Sequence, residues 1–350
     1  MATPYDAVLL VSFGGPEAPE HVLPFMENVT RGRNIPRERL EEVSQHYYLF
    51  DGRSPINDQN RALKAALEEL LAERGPDLPV YFGNRNWDPL LPDTLRQMRD
   101  DGIERALCFV TSAYSSYSGC RQYRENLAAA RAEVGEGAPE LDKMRVYYNH
   151  PGFVEPQVDL IAEALENLPE QHRADARIVF TTHSIPLTMS RHCDYEAQHY
   201  ETCRLVMERL PDREWDLVFN SRSGPEHVPW LVPDVNDHLE VLAEEGVPAV
   251  VIVPVGFISD HMEVIYDLDV EAVQTAERLG LPMARAGTVG VDPRFVAMIR
   301  DLLLERLEDA PALALGTRGP NHDACPTDCC FTPGQQPREV VAAAEGAKRP

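Results

Sequence analysis

Positive charge is scarce in this chain: 33 Lys and Arg stand against 57 Asp and Glu in 350 residues, a formal net charge of −24. The summed field of such a surface repels polyanions, so no nucleic acid and no anionic membrane is expected as a partner. Long apolar runs are lacking too. None approaches the roughly eighteen residues that cross a bilayer, and Met1-Ala2-Thr3-Pro4-Tyr5-Asp6 leads straight into a strand-like run without a basic stretch or cleavage site. A cytoplasmic protein with no transmembrane segment is expected. Cysteines number only seven, and in a long chain of a reducing compartment they argue against structural disulfides. Also missing is the third glycine of a dinucleotide fingerprint: Phe13-Gly14-Gly15-Pro16-Glu17 follows the first strand-like run, and Pro16 interrupts the turn. No nucleotide cofactor is expected. The paired glycines would instead let a flat ligand approach the backbone closely.

What is present is ample for burial: 43% of residues are apolar, and the length exceeds what one core usually organises. Strand-like runs occur at Ala7–Phe13, Val80–Phe82, Ala106–Thr111, Arg145–Tyr148, Ile178–Thr182, Leu217–Phe219 and Ala249–Val255, with amphipathic segments between most of them. This alternation is the pattern of βαβ units and a mostly parallel sheet. From Asn60 to Arg74, residues Leu63, Ala66, Leu67, Leu70 and Leu71 share one face of a 3.6-residue period.

The strand inventory repeats itself. Tyr81-Phe82-Gly83-Asn84-Arg85-Asn86-Trp87 resembles Val218-Phe219-Asn220-Ser221-Arg222-Ser223-Gly224 in layout, and Phe109-Val110-Thr111-Ser112-Ala113-Tyr114 echoes Ile252-Val253-Pro254-Val255-Gly256-Phe257. The fold class is therefore α/β: two doubly wound, Rossmann-like domains with a mostly parallel sheet each and a ligand cleft between them. The division expected is residues 1–149 plus 290–312, residues 150–289, and a largely irregular, cysteine-bearing tail over 313–350. A last helix, Pro293 to Glu308, should pack back on the first half. Residues 332 to 350, rich in Pro, Gly, Ala and charge, are expected to be disordered.

Two segments carry the chemistry. Thr181-Thr182-His183-Ser184-Ile185-Pro186 and Ser259-Asp260-His261-Met262-Glu263 each stop an apolar run, which puts His183 and a carboxylate at the C-terminal ends of parallel strands, where open α/β sheets hold their sites. A neutral imidazole there accepts a proton or binds a metal. Taken alone, a strand-capping histidine explains His183 equally well. After a helix start at Ser259-Asp260, Glu263, Asp267 and Glu271 recur at i, i+4 and i+8, stacking three carboxylates on one face. A solvated acidic face is the plainer reading, but a ladder leading to an imidazole can pass cations inward or protons outward. His183 and Glu263 are expected to face each other across a gap wide enough for a flat macrocycle. Arg31-Gly32-Arg33 and Arg53-Ser54-Pro55-Ile56-Asn57 could hold ligand carboxylates, and Tyr114 through Tyr123 adds hydroxyls and aromatic faces.

Together Val11-Ser12-Phe13-Gly14-Gly15-Pro16, Arg31-Gly32-Arg33, Ser54-Pro55-Ile56, His183-Ser184-Ile185-Pro186, Ser221-Arg222-Ser223-Gly224-Pro225 with Pro229-Trp230-Leu231, and Ser259-Asp260-His261-Met262-Glu263 through Tyr266-Asp267 resemble the ferrochelatase family, in order over about residues 5 to 305. The likeness is greatest to its actinobacterial, coproporphyrin-type branch. The resemblance implies insertion of Fe²⁺, the substrate metal, into coproporphyrin III with release of two protons, in haem biosynthesis. It implies His183 and Glu263 as the iron-binding and proton-handling pair, Asp267 and Glu271 as a secondary metal or proton path, and Ser54, Tyr123, Arg31, Arg33 and Phe13 as substrate contacts. Phe13 stands where some relatives carry a tyrosine that reaches the porphyrin iron. Protoporphyrin IX as substrate, cobalt or nickel insertion, and a non-catalytic porphyrin or haem carrier are the alternatives. Transient contact with neighbouring haem-pathway enzymes is a further expectation.

Cys325-Pro326-Thr327-Asp328-Cys329-Cys330 resembles the tail that binds a [2Fe–2S] cluster in a subset of the family. Three thiolates are one short of the usual four. Relatives that supply the fourth from a helix do so where this chain has Pro156 and Gln157, which leaves Cys193, Cys203 or Cys120. A zinc site and a plain reduced tail are the other readings.

Overall fold

β-Branched, apolar hexads pack both faces of a parallel strand, and Ala7-Val8-Leu9-Leu10-Val11-Ser12 does so completely: β1 (Ala7–Ser12) is buried along its whole length. A computed structural model describes residues 4–32, 35–210, 213–225, 227–331 and 340–341. β1 lies between β2 (Val80–Asn84) and β3 (Arg105–Val110), with β4 (Glu140–Lys143) outside β3. The second sheet repeats this plan. β5 (Arg177–His183) lies between β6 (Trp215–Asn220) and β7 (Val250–Val253), with β8 (Met283–Arg285) outside β7. Every pairing in the two sheets is parallel. The repeat extends to backbone detail: the N–H of Ser112 bonds to the carbonyl of Val110 at 2.7 Å after β3, and that of Val255 to Val253 at 2.8 Å after β7.

One strand lies elsewhere than its apolarity suggests. Arg145–Tyr148 pairs with nothing in the sheet, whereas the polar run Glu-Leu-Asp-Lys forms β4. The reason is where the apolar groups go. Tyr147 stacks on Phe109 at 5.0 Å and meets Phe295 at 6.0 Å, so this extended segment is buried by a helix, while an edge strand needs only one apolar face. β8, three residues long, carries too short a signal to be read from sequence.

The Ile56–Arg74 helix buries Leu63, Leu67 and Leu71, with Ala66 and Leu70 partly covered beside them. The Pro293–Leu307 helix packs on it and on the Pro151–Glu166 helix. At the second crossing a Cβ on Gly152 would lie 2.5 Å from the carbonyl of Arg294, so only glycine admits the approach. A single core cluster runs from Val8, Leu10 and Phe109 through Tyr114 and Phe153 to Ile185, Phe219 and Ile258, joining the two sheets.

Beyond the last helix the described residues form no helix or extended strand, yet they are packed against the body. Cys325, Cys329 and Cys330 are buried, and Val341 is 6% exposed in a core with Tyr123 and Leu127. The expectation of disorder therefore fails at Val341. The rest of residues 332–350, apart from Val340, lies outside the described residues.

Candidate active site

His183 is the last residue of β5, paired in register with Asn220 of β6. The turn after it is held from several sides. Ser184 donates its N–H to the Asn220 carbonyl and its hydroxyl to the Leu231 carbonyl, while Leu187 and Leu231 donate their N–H groups to the carbonyls of Pro229 and Ile185. The Ser221–Leu231 motif thus brackets the histidine turn, and Trp230 closes it by lying against Gly224, where a Cβ would come within 2.4 Å of the indole nitrogen. Behind the imidazole, Tyr195 donates its hydroxyl to the His183 carbonyl at 2.9 Å and meets Thr182 Oγ1 at 2.7 Å, which in turn meets His199 Nε2 at 2.9 Å. Burial drives the His199 pKa down to about 3, against the backbone bond to Tyr195. It is a neutral support.

His183 Nδ1 faces the Ser184 carbonyl as a donor, which turns Nε2 toward Glu263 Oε1 at 3.2 Å. The two side chains are in direct contact instead of facing each other across a gap. They are enclosed by protein on most sides yet 29% and 44% exposed, an arrangement open to a ligand. Burial opposes the imidazolium, but the Glu263 carboxylate, the Ser184 carbonyl and Asp267 outweigh it and raise the His183 pKa to about 9. Burial likewise opposes the Glu263 carboxylate, and the charge and hydrogen bond of His183 outweigh it, holding the group low. At neutral pH the pair is an ion pair with one shared proton.

Glu263 does not follow a helix start at Ser259-Asp260. The helix begins at Met262, and His261 caps it by accepting the Glu263 N–H at 3.2 Å, an interaction the sequence reading did not assign. Asp260 spends its carboxylate on Arg285 and Thr288. The short helix then widens into a π turn over Asp267–Ala272. An i, i+4 series drifts about 40° per step on an ordinary helix, and the wider turn offsets that drift. Asp267 is fixed by Asn220 at 3.2 Å and by the Ser221 hydroxyl. Burial, with the charges of Glu263 and Glu271, raises its pKa to about 7 against those two hydrogen bonds. Glu271 is exposed and coupled to Asp267. The carboxylates form a line from the histidine to solvent.

The first half contributes aromatic surface. Arg85 places its guanidinium 4.6 Å from the Tyr123 ring and 5.5 Å from the Phe13 ring. Phe13, Phe25 and Tyr47 follow one another edge to face at 6.2 and 6.0 Å. Glu263 lies within electrostatic reach of both ends: burial, then its charge, raises the Tyr47 pKa, and its charge also acts on Tyr123. Phe13 is 36% exposed. The sequence did not assign Arg85, Phe25 or Tyr47 to the site; the run His46-Tyr47-Tyr48 in an otherwise charged helix is the one visible signal of Tyr47.

Other expected contacts sit differently. Gly14 and Gly15 are not open to a ligand where a Cβ would point, since Asn84 and the Ser54 and Ile56 side chains fill those positions within 3.0 Å. Ser54 is itself 3% exposed, against Gly15. Arg31 is exposed and donates to Asn28, while Arg53 pairs with Asp58 at 2.5 Å. Arg33 lies outside the described residues. Tyr114 is core: it stacks on His199 at 3.4 Å and donates to the Val255 carbonyl at 3.0 Å.

The cysteines divide. Cys329 Sγ is 3.8 Å from Cys330 Sγ and 3.7 Å from His322 Nε2, and Cys325 joins them. Cys193 packs against this group, and Cys120 lines one small cavity with Cys325 and Cys329. Cys203 and Cys108 belong to the cores of the second and first sheets.

No helix among the described residues is long and apolar enough to cross a membrane. The chain is 55% identical to a protein of Streptomyces coelicolor named coproporphyrin III ferrochelatase, over 98% of this chain and 97% of that one. It is 52% identical to a ferrochelatase of Rhodopirellula baltica, over 95% and 96%. Among solved structures, SirB from Bacillus subtilis superposes with a TM-score of 0.54 over 87% of this chain and 97% of that one, at 12% identity, a likeness of fold. The ferrochelatase family model matches residues 5–307, so the span that builds both sheets and carries His183 and Glu263 is the family's own: the chain belongs to the ferrochelatase family.

Proposed function

We propose that this protein inserts Fe²⁺ into coproporphyrin III in haem biosynthesis, with His183 and Glu263 as the catalytic pair. The observation that carries the assignment is the 3.2 Å contact between His183 Nε2 and Glu263 Oε1 at the C-terminal end of β5. Removing two pyrrole protons as the metal enters needs bases at the ring. His183, freed of the proton it shares, offers the Nε2 lone pair, and Glu263 offers carboxylate oxygens to metal or proton. Asp267, titrating near neutrality, receives protons from Glu263 and passes them to exposed Glu271. Both can also hold an incoming divalent ion.

Phe13 and Tyr123, with Arg85 between them, would meet the macrocycle's face, and Arg31 a propionate at its rim. Ser54 would support Gly15 from behind. Buckling the ring exposes nitrogen lone pairs, with strain drawn from binding elsewhere on the ligand. The substrate would sit between residues 1–149 plus 290–312 and residues 150–289 as two domains, with 313–350 as a tail, in a cytoplasmic protein handed its substrate by transient contact with neighbouring haem-pathway enzymes.

The tail would hold a [2Fe–2S] cluster on Cys325, Cys329 and Cys330. Thiolates about 2.3 Å from one tetrahedral metal lie about 3.8 Å apart, the spacing of Cys329 and Cys330. Such a centre supplies one-electron redox chemistry, and no step of metal insertion runs through it. Anaerobic insertion assays comparing coproporphyrin III with protoporphyrin IX, and Fe²⁺ with Co²⁺ and Ni²⁺, test the function. Turnover with coproporphyrin III and Fe²⁺ is expected, lost in His183→Ala while porphyrin still binds. Retained insertion in that variant removes the assignment.

A further inference from the structure

We propose that residues 315–321 form a strap that seats the Tyr195–Met207 helix and, through it, sets how His183 is held, with Gln198 and Asn321 as positioning residues. The inference rests on His183 carrying the reaction, as proposed above, and goes beyond it by naming what fixes the histidine from a distance.

The helix uses two adjacent faces. Tyr195 and His199, about one turn apart, meet the end of β5, where the Tyr195 hydroxyl reaches the His183 carbonyl and Thr182 Oγ1. His199 is fully buried with both ring nitrogens engaged: Nδ1 donates to the Tyr195 carbonyl at 2.8 Å, so Nε2 accepts from Thr182 Oγ1 at 2.9 Å. Its ring lies flat on Tyr114 of the first half, which donates to the Val255 carbonyl of the second. A shift of this helix therefore moves the donor on the His183 carbonyl. That carbonyl belongs to the peptide leading to Ser184, whose own carbonyl holds Nδ1 of the imidazole. The movement thus reaches the Nε2 that faces Glu263.

The second face carries Gln198 and Glu201, and residues 315–321 lie across it. Gln198 is 1% exposed and spends its whole amide there. Its Oε1 accepts the Ser115 N–H at 2.7 Å, and its Nε2 donates to Ser115 Oγ at 2.9 Å and to Asn321 Oδ1 at 3.3 Å. At Gly316 the backbone takes a φ of +73°, and a Cβ there would lie 2.4 Å from Glu201 Oε1, so the strap is pressed onto the helix. Asn149, fully buried, holds it from the other side: its Nδ2 donates to the Gly319 carbonyl at 2.8 Å, and its carbonyl accepts the Leu315 N–H at 2.8 Å. Apolar burial contributes little, since Gly316, Thr317 and Arg318 are exposed. Buried amides of the body grip this exposed chain, and each would lose a partner in the interior if it left, a costly state for a polar group. Gln198, one of those amides, stands on the helix that supports His183.

The test measures Fe²⁺ insertion into coproporphyrin III by the full chain with kcat and KM resolved, the His183 ring signals by NMR of histidine-labelled protein, and iron and acid-labile sulfide per chain. Asn321→Leu keeps the volume and removes the acceptor of Gln198. Its kcat should fall about tenfold while the porphyrin KM stays within about twofold, and the His183 signals should move. Asn321→Asp keeps an acceptor oxygen and should restore both. Because Gln198→Leu breaks the same bond, the double variant Gln198→Leu with Asn321→Leu should lose no more activity than Gln198→Leu by itself. If Gln198→Leu does not fold, the two Asn321 variants decide. The inference is overturned by an unchanged kcat in Asn321→Leu, by a loss with unmoved ring signals, or by a loss that Asn321→Asp does not repair. A loss that follows the tail's iron content in proportion overturns it as well. Insertion retained in His183→Ala overturns the catalytic reading instead, and the ring signals of the Asn321 variants then judge the strap by themselves.

Discussion

His183 and Glu263 share one proton across 3.2 Å, with the far side of the imidazole tied to the Ser184 carbonyl. The Nε2 lone pair is therefore unavailable to a metal until that proton leaves, and metal capture is coupled to proton release. Glu263→Gln removes the charge that lifts the imidazole, and burial then dominates. The His183 titration, followed by NMR of the ring protons, is expected to move from about 9 to below the ordinary imidazole value. Insertion should fall by about 10²-fold or more, with porphyrin binding kept. An unmoved titration would separate Glu263 from His183.

Asp267 separates activity from stability. Its pKa is raised from 3.8 to about 7, chiefly by burial, so the folded state favours the protonated carboxyl. That preference stabilises the fold fully below 3.8 and is lost as pH rises through about 7. Asp267→Asn should therefore match wild type in melting temperature near pH 4 and exceed it at pH 8. Its insertion rate should lose the limb that rises through pH 7 in wild type.

Gly256 tests the support behind the histidine. A Cβ there would come within 2.1 Å of Thr182 Oγ1, the atom that links Tyr195 to His199. Gly256→Ala is expected to cost about 1–3 kcal/mol by urea denaturation, and to lower insertion more than it lowers porphyrin affinity.

Arg145 and Glu305 form a two-pronged buried pair, each bond 2.8 Å, that ties the segment after β4 to the last helix. Glu305→Ala leaves the guanidinium buried without its carboxylate and should cost about 3–5 kcal/mol. Replacing both, Arg145→Met with Glu305→Leu, should cost less than the single change. Equal losses would show that packing, not charge, dominates there.

Local patterns with one physical cause were readable. The Asn60–Arg74 stripe is the buried face of its helix because burial follows the 3.6-residue period. His183 ends a strand because a β-branched run stops against Ser184 and Pro186. Where two causes compete, reading fails. Arg145–Tyr148 is apolar enough for a strand, but an aromatic cluster from a distant helix claims it. Gly14-Gly15 is open backbone in sequence, and side chains from Ser54, Ile56 and Asn84 occupy it. Tyr47 and Arg85 stayed hidden because nothing in a charged helix or a polar turn says which way it will face.

By itself the sequence determined the parallel α/β plan, its repetition, and the chemistry available: an imidazole and carboxylates at strand ends, and thiols in a tail. These follow from burial and backbone geometry over a few residues at a time. Only the tertiary structure decided that His183 touches Glu263, eighty residues on, that Tyr47 comes within reach of the same carboxylate, and that Cys120 and Cys325 line one cavity. Such distances are set by how helices and sheets pack on one shared core, a property of the whole chain that no segment of it carries.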